Sequence, residues 1–144
     1  MRARHPIMHR QGGAAAVEFA LVATLFIALV VAVIELARVA FIYATAVEAT
    51  RLGARVAVVC SPNDQAAVRA KMKNLLPMLT DDKISILYPA SKCSAASCDP
   101  VTVSIQNLTV DAVIPLVPLR FPIPPNATSL PAESLDSTDN PLCA

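Results

Sequence analysis

Glu18 is the one charged side chain in residues 14–34, a run otherwise made of Ala, Val, Leu, Ile, Phe and Thr. A lone carboxylate in hydrocarbon costs on the order of 3 kcal/mol on insertion scales, so a cationic partner is expected for it. The simpler reading is an acid at the membrane interface, partly solvated and favoured by the positive end of the helix dipole. The other groups with chemistry are four cysteines, Cys60, Cys93, Cys98 and Cys143. An even count suits two disulfides in an oxidising compartment, with three possible connectivities. Cys93 and Cys98 bracket a short polar Ser-Ala-Ala-Ser stretch, which favours a local bridge and leaves Cys60 for Cys143. Free thiols are the alternative. A metal site fits poorly, because no His follows His9 and a four-residue gap is not a strong zinc spacing.

Little else is suited to catalysis. His5 and His9 both precede residue 14, so the chain beyond it lacks the usual general base. There is no glycine-rich phosphate loop and no nucleophile elbow. Asp81-Asp82 reads as a solvated turn, and the sequons at Asn107 and Asn126 are patterns common by chance. The expectation is a chain that is not an enzyme and needs no cofactor.

These groups must be carried by elements of a particular shape. Residues 14–34 are long enough to cross a bilayer, which takes about 20 residues. No Gly or Pro interrupts the chain from residue 14 until Gly53 and Pro62, so one helix is expected over about 14–58, roughly 65 Å long. Its second half carries Glu35 with Arg38 and Glu48 with Arg51, spaced to pair on a helix face and read here as solvated. Leu36, Val39, Ala40, Tyr43, Val47 and Ala54 give a plausible packing stripe. A short amphipathic helix is expected over 65–76, stopped near Pro77. Strands are expected over 83–88 and 101–108, joined as a hairpin through the cysteine loop, with a third over 111–117. The prolines from Pro122 onward predict an irregular or extended tail. The fold class is α+β: a leader over 1–13, a long helix over 14–60 spanning a membrane at 14–34, a small domain over 61–120 and a tail over 121–144.

Charge sets orientation and excludes one partner class. Arg2, Arg4 and Arg10 precede the span, which predicts a cytoplasmic N-terminus and an outer domain across the membrane. Without those three, nine Lys and Arg face eleven Asp and Glu, a net of −2 (9 − 11), so no nucleic-acid partner is required.

Three accounts of the N-terminal fifty residues compete. A cleaved signal peptide could use Ala44-Thr45-Ala46, but the presequence would then contain Glu35 and Arg38 and greatly exceed the usual apolar core. A plain signal anchor explains the span and not Glu18. The third account starts from Gly13, four small or apolar residues, then Glu18-Phe19 and a long apolar helix. This arrangement resembles the processing site of type IV pilin-like proteins. With AAAVEFALV and the downstream AVEATRLGARVAV, it resembles the TadE/TadF family of Flp (Tad) pilus assembly. The resemblance implies cleavage by a prepilin peptidase between Gly13 and Ala14, with Glu18 fifth in the product and Phe19 beside it. It also implies partners among other pilins, pseudopilins and the Tad machinery, besides membrane lipid. Chain length favours a minor pseudopilin over the bulk subunit. The competing function is a signal-anchored binding module unrelated to pili.

Overall fold

The computed structural model describes residues 12–89, 97–113 and 118–143. The chain is α+β. It opens with one continuous helix, α1 (Gly12–Ala57), followed by α2 (Gln65–Leu75). Five short strands come next: β1 (Ile84–Leu87), β2 (Val101–Ile105), β3 (Thr109–Asp111), β4 (Arg120–Pro122) and β5 (Asn126–Leu130). The strands form an antiparallel sheet in the order β1-β2-β5 and a separate antiparallel hairpin, β3-β4.

β2 is the middle strand, and its alternation shows directly in burial. Val101, Val103 and Ile105 point into the core, while Thr102 and Ser104 lie on the outer face. The sheet packs on the second half of α1, where α2 also packs, with Val68 and Met72 fully buried. The inward face of α1 comprises Glu35, Ala46, Ala49, Thr50, Gly53, Ala54 and Ala57, with Val39 and Ile42 half-buried. This differs from the stripe read from sequence. Leu36, Ala40 and Tyr43 are exposed, and mostly small residues face inward. A helix that is apolar all round gives hydropathy no direction, whereas close packing selects size. Gly53 shows the limit: a Cβ there would lie 2.6 Å from Met72 Sδ and 3.1 Å from Val103 Cγ1.

Two further differences concern the C-terminal third. The strand expected over 111–117 is Thr109–Asp111, and its partner is β4, in a stretch given no strand by its sequence. Ala112 and Val113 lie outside the strand, and residues 114–117 lie outside the described residues. Part of the tail is also a sheet strand, since β5 pairs with β2 from Val101↔Leu130 to Ile105↔Asn126. Its inward positions are Asn126, Thr128 and Leu130, only one of them apolar, so no hydrophobic alternation announces it. Thr128 Oγ1 donates instead to Thr50 Oγ1 of α1 at 3.2 Å.

The rest of the tail closes the C-terminal end of α1. Helix ends leave carbonyls without partners. Here Glu133 N–H donates to the Val58 carbonyl and Asp136 N–H to that of Val59, both at 3.0 Å. Ser137 Oγ accepts from Ser61 N–H at 2.9 Å, and Leu135 is buried between these contacts. The tail ends in a disulfide between Cys60 and Cys143, 83 residues apart in sequence.

Candidate functional site

Gly13, Ala14, Glu18 and Phe19 all lie in the first two turns of α1. Helix geometry puts Ala14 and Glu18 four residues apart on one face, about 6 Å along the axis. Among the described residues no other element packs here. Nothing lies within 4 Å of a Cβ built on Gly13, and Phe19 is 74% exposed. Glu18 is exposed and has no hydrogen bond or ion pair among the described residues. Its neighbours Leu21, Val22, Leu25 and Phe26 are also exposed. Thr24 is satisfied within the helix, donating to the Ala20 carbonyl at 2.7 Å. The segment is therefore an apolar rod, long enough to cross a membrane, with one open carboxylate near its start. Residues 1–11 of the leader expected over 1–13, with its three arginines, lie outside the described residues.

The second acid of α1 has the opposite surroundings. Glu35 is only 7% exposed, which overturns its reading as part of a solvated face. It accepts from Arg38 at 2.5 Å, and Arg38 also donates to the Asp111 carbonyl at the end of β3. Leu119 and Phe121 line the same cleft beside Glu35. The Arg38 hydrogen bond holds the Glu35 carboxyl below the ordinary carboxylate range; burial opposes this, while the Arg38 charge and the Val113 amide reinforce it. Sequence spacing found the Glu35–Arg38 pair but not the hairpin that covers it, because β3 and β4 are three residues each, the strand expected there lies over 111–117, and β4 has no strand signal of its own. Glu48 and Arg51 do meet in the open, at 2.7 Å with both side chains more than half exposed.

Of the cysteines, the structure brings Cys60 and Cys143 together. Cys98 is buried and disulfide-bonded, and Cys93, the partner expected from the loop, lies outside the described residues. Among the described residues no cluster of three or more His, Cys, Asp or Glu could hold a metal ion.

Residues 13–55 match the family model described as TadE-like protein. The match begins at Gly13 and covers the apolar rod and most of the buried half of α1, under a third of the chain. It agrees with the resemblance carried by Gly13, Glu18 and Phe19. No curated protein and no solved structure matches the chain.

Proposed function

From a first helix that is TadE-like over residues 13–55, we propose that this chain is a minor pseudopilin serving a Tad-type pilus or a related secretion machine. The observation that carries the reading is the unpartnered Glu18 in an exposed apolar rod directly after Gly13. A prepilin peptidase cuts between Gly13 and Ala14, where the glycine offers no side chain to obstruct the backbone. The cut creates a positive amine at Ala14, one helical turn from Glu18 and on the same face. That amine, from the same chain or a neighbouring copy, neutralises the carboxylate in a low-dielectric setting where such a pair is strong. Processing and assembly are thereby coupled: before the cut the acid lacks its cation.

The remaining assignments follow from the same reading. The chain is the substrate of an enzyme and not itself an enzyme. It sits in the inner membrane with its N-terminus in the cytoplasm and its sheet domain outside, in the company of other pilins and the Tad machinery. Mass spectrometry of the protein from its native host tests the reading. A mature chain starting at Ala14 is expected. An intact Met1 would overturn it, and a start at Val47 would indicate ordinary signal peptidase. Gly13→Ile should block processing.

A further inference from the structure

The β3–β4 hairpin runs along α1 toward its membrane-spanning end. Ile123 and Pro124 line a cleft with Ala40 and Tyr43, Arg38 donates to the Asp111 carbonyl, and Leu119 shares the next cleft with Ala32 and Glu35. Each step toward the hairpin tip is thus a step toward the N-terminus of α1. Ala32 belongs to the last turn of the apolar run 14–34, so the described flanks of the tip reach the level where the helix enters hydrocarbon.

Polarity changes at that level. Asp111 and Arg120 form the last polar rung of the hairpin, paired at 2.8 Å, and residues 112–119 of the sequence include no charged or hydrogen-bonding side chain. Beyond the rung, Val113 is 70% exposed and Leu119 45% exposed. Leu119 lines one cleft with Ala32, in the last turn of the apolar run, and with the exposed Leu36. Two of the described backbone positions at the tip present no free donor to hydrocarbon. Ala112 N–H donates to the Leu119 carbonyl at 2.8 Å, and Pro118 has no N–H. The four charges above the tip are paired among themselves, Glu35 with Arg38 and Asp111 with Arg120, a neutral collar at headgroup height.

We propose that the β3–β4 hairpin is a second membrane contact, whose tip residues Val113 and Leu119 enter the lipid of the leaflet where α1 leaves the bilayer. The proposal rests on the reading of residues 14–34 as a membrane span. The occupant is lipid because the patch is continuous with the surface of the span, and the paired collar leaves no free charge for a protein partner to recognise. The contact fixes the tilt and rotation of the sheet domain relative to the membrane, which a single helix leaves free.

The chain contains no Trp, so one introduced indole reports its own surroundings. The full chain carrying Leu119→Trp, and separately Val113→Trp, is reconstituted in phosphatidylethanolamine/phosphatidylglycerol vesicles with or without acyl-brominated lipid. Val22→Trp marks the span and Leu87→Trp, on the exposed face of β1, marks water. Retention of the Cys60–Cys143 bridge in a non-reducing digest verifies the fold. The expected result is that both hairpin indoles behave like the span marker: blue-shifted, losing most of their emission to bromolipid and little to iodide. Iodide-accessible hairpin indoles beside a lipid-quenched Val22→Trp overturn the proposal and leave the span intact. Hairpin indoles shielded from both quenchers, or blue-shifted only at high protein-to-lipid ratio, overturn it in favour of a second protein chain. If Val22→Trp itself escapes the bromolipid, the span reading fails and the proposal with it.

Discussion

The two halves of α1 are made from nearly the same residues and behave as two different materials. Residues 13–34 include Leu21, Leu25, Phe26 and Ile34, all more than 60% exposed, and the hairpin meets this half at its far end, where Leu119 shares a cleft with Ala32. Residues 35–57 bury a stripe of Ala46, Ala49, Gly53, Ala54 and Ala57 under α2 and the sheet. Large side chains thus face outward in the first half, and small ones face inward in the second. The difference teaches where each half finds its partners. Small residues let a sheet and a helix approach one backbone closely, so the second half is completed within the chain. Large exposed side chains with one open acid find no such cover among the described residues, so the first half is open to partners outside them. The two acids repeat the lesson: Glu35 is enclosed by its own fold, and Glu18 is not.

If the halves are independent, damage to the second should leave the first intact. The largest effect is expected from Cys60→Ser with Cys143→Ser. A bridge closing a loop of 83 residues contributes on the order of 4 kcal/mol through the unfolded chain, within the usual cost of about 2–5 kcal/mol for losing a native disulfide. Thermal unfolding in micelles should show the sheet domain melting far earlier, while circular dichroism retains the helical signal of the span. Loss of both together would mean that α1 is a single cooperative unit. The next effect comes from one substitution made in both halves. Gly53→Leu forces a side chain against Met72 and Val103 and should cost about 1–3 kcal/mol as overpacking. Ala20→Leu, on the exposed rod, should leave the domain melt unchanged.

The elements with a strong local signal were legible in the sequence. The unbroken run to Gly53 gave α1, the amphipathic 65–76 segment gave α2, and the alternation of Val101, Val103 and Ile105 gave β2. What escaped was set by tertiary partners. β5 presents Asn126 and Thr128 to the core, and it is held by pairing with β2 and by the Thr128–Thr50 contact, which no hydropathy pattern encodes. The inward stripe of α1 was legible only in part, with Ala54 buried and Val39 and Val47 half-buried but Leu36, Ala40 and Tyr43 exposed, because a helix apolar all round gives hydropathy no direction. Glu18 and Gly13 stood out because a charge in an apolar run and a glycine before it are local anomalies. Glu35 was read as solvated because its cover, Leu119 and Phe121, lies more than eighty residues away in sequence.

The enclosure of Glu35 sharpens the comparison through pH. Arg38 lowers the folded pKa of this carboxyl below its unfolded value, about 4.3 for an ordinary glutamate. A depressed carboxylate adds stability that is fully present above the unfolded pKa and is lost as pH falls through the folded one. The hairpin should therefore stay docked at neutral and mildly acidic pH and loosen only below about pH 4.3. Hydrogen exchange of the Asp111 and Ala112 amides would report the loosening. Glu35→Gln should remove the pH dependence and loosen the hairpin at every pH. An unchanged acid limb in that variant would assign the transition to another carboxylate.

The smallest effect on folding is expected from the acids that the fold does not enclose. Glu48→Ala breaks only an exposed pair with Arg51, the kind that contributes about 0.2–1 kcal/mol. Glu18→Ala should do less still to the domain melt, because the carboxylate is exposed and has no hydrogen bond or ion pair among the described residues. Its effect belongs to assembly: the variant should be cut at Gly13 like the wild type and then fail to enter the pilus machinery. Pull-down of the processed chain with its pilin partners separates the two steps. A Glu18→Ala chain that is processed and assembles normally would remove the pairing with the new amine. One that melts early would show that the first half of α1 is coupled to the domain after all, and the division between inner and outer partners would have to move toward the N-terminus.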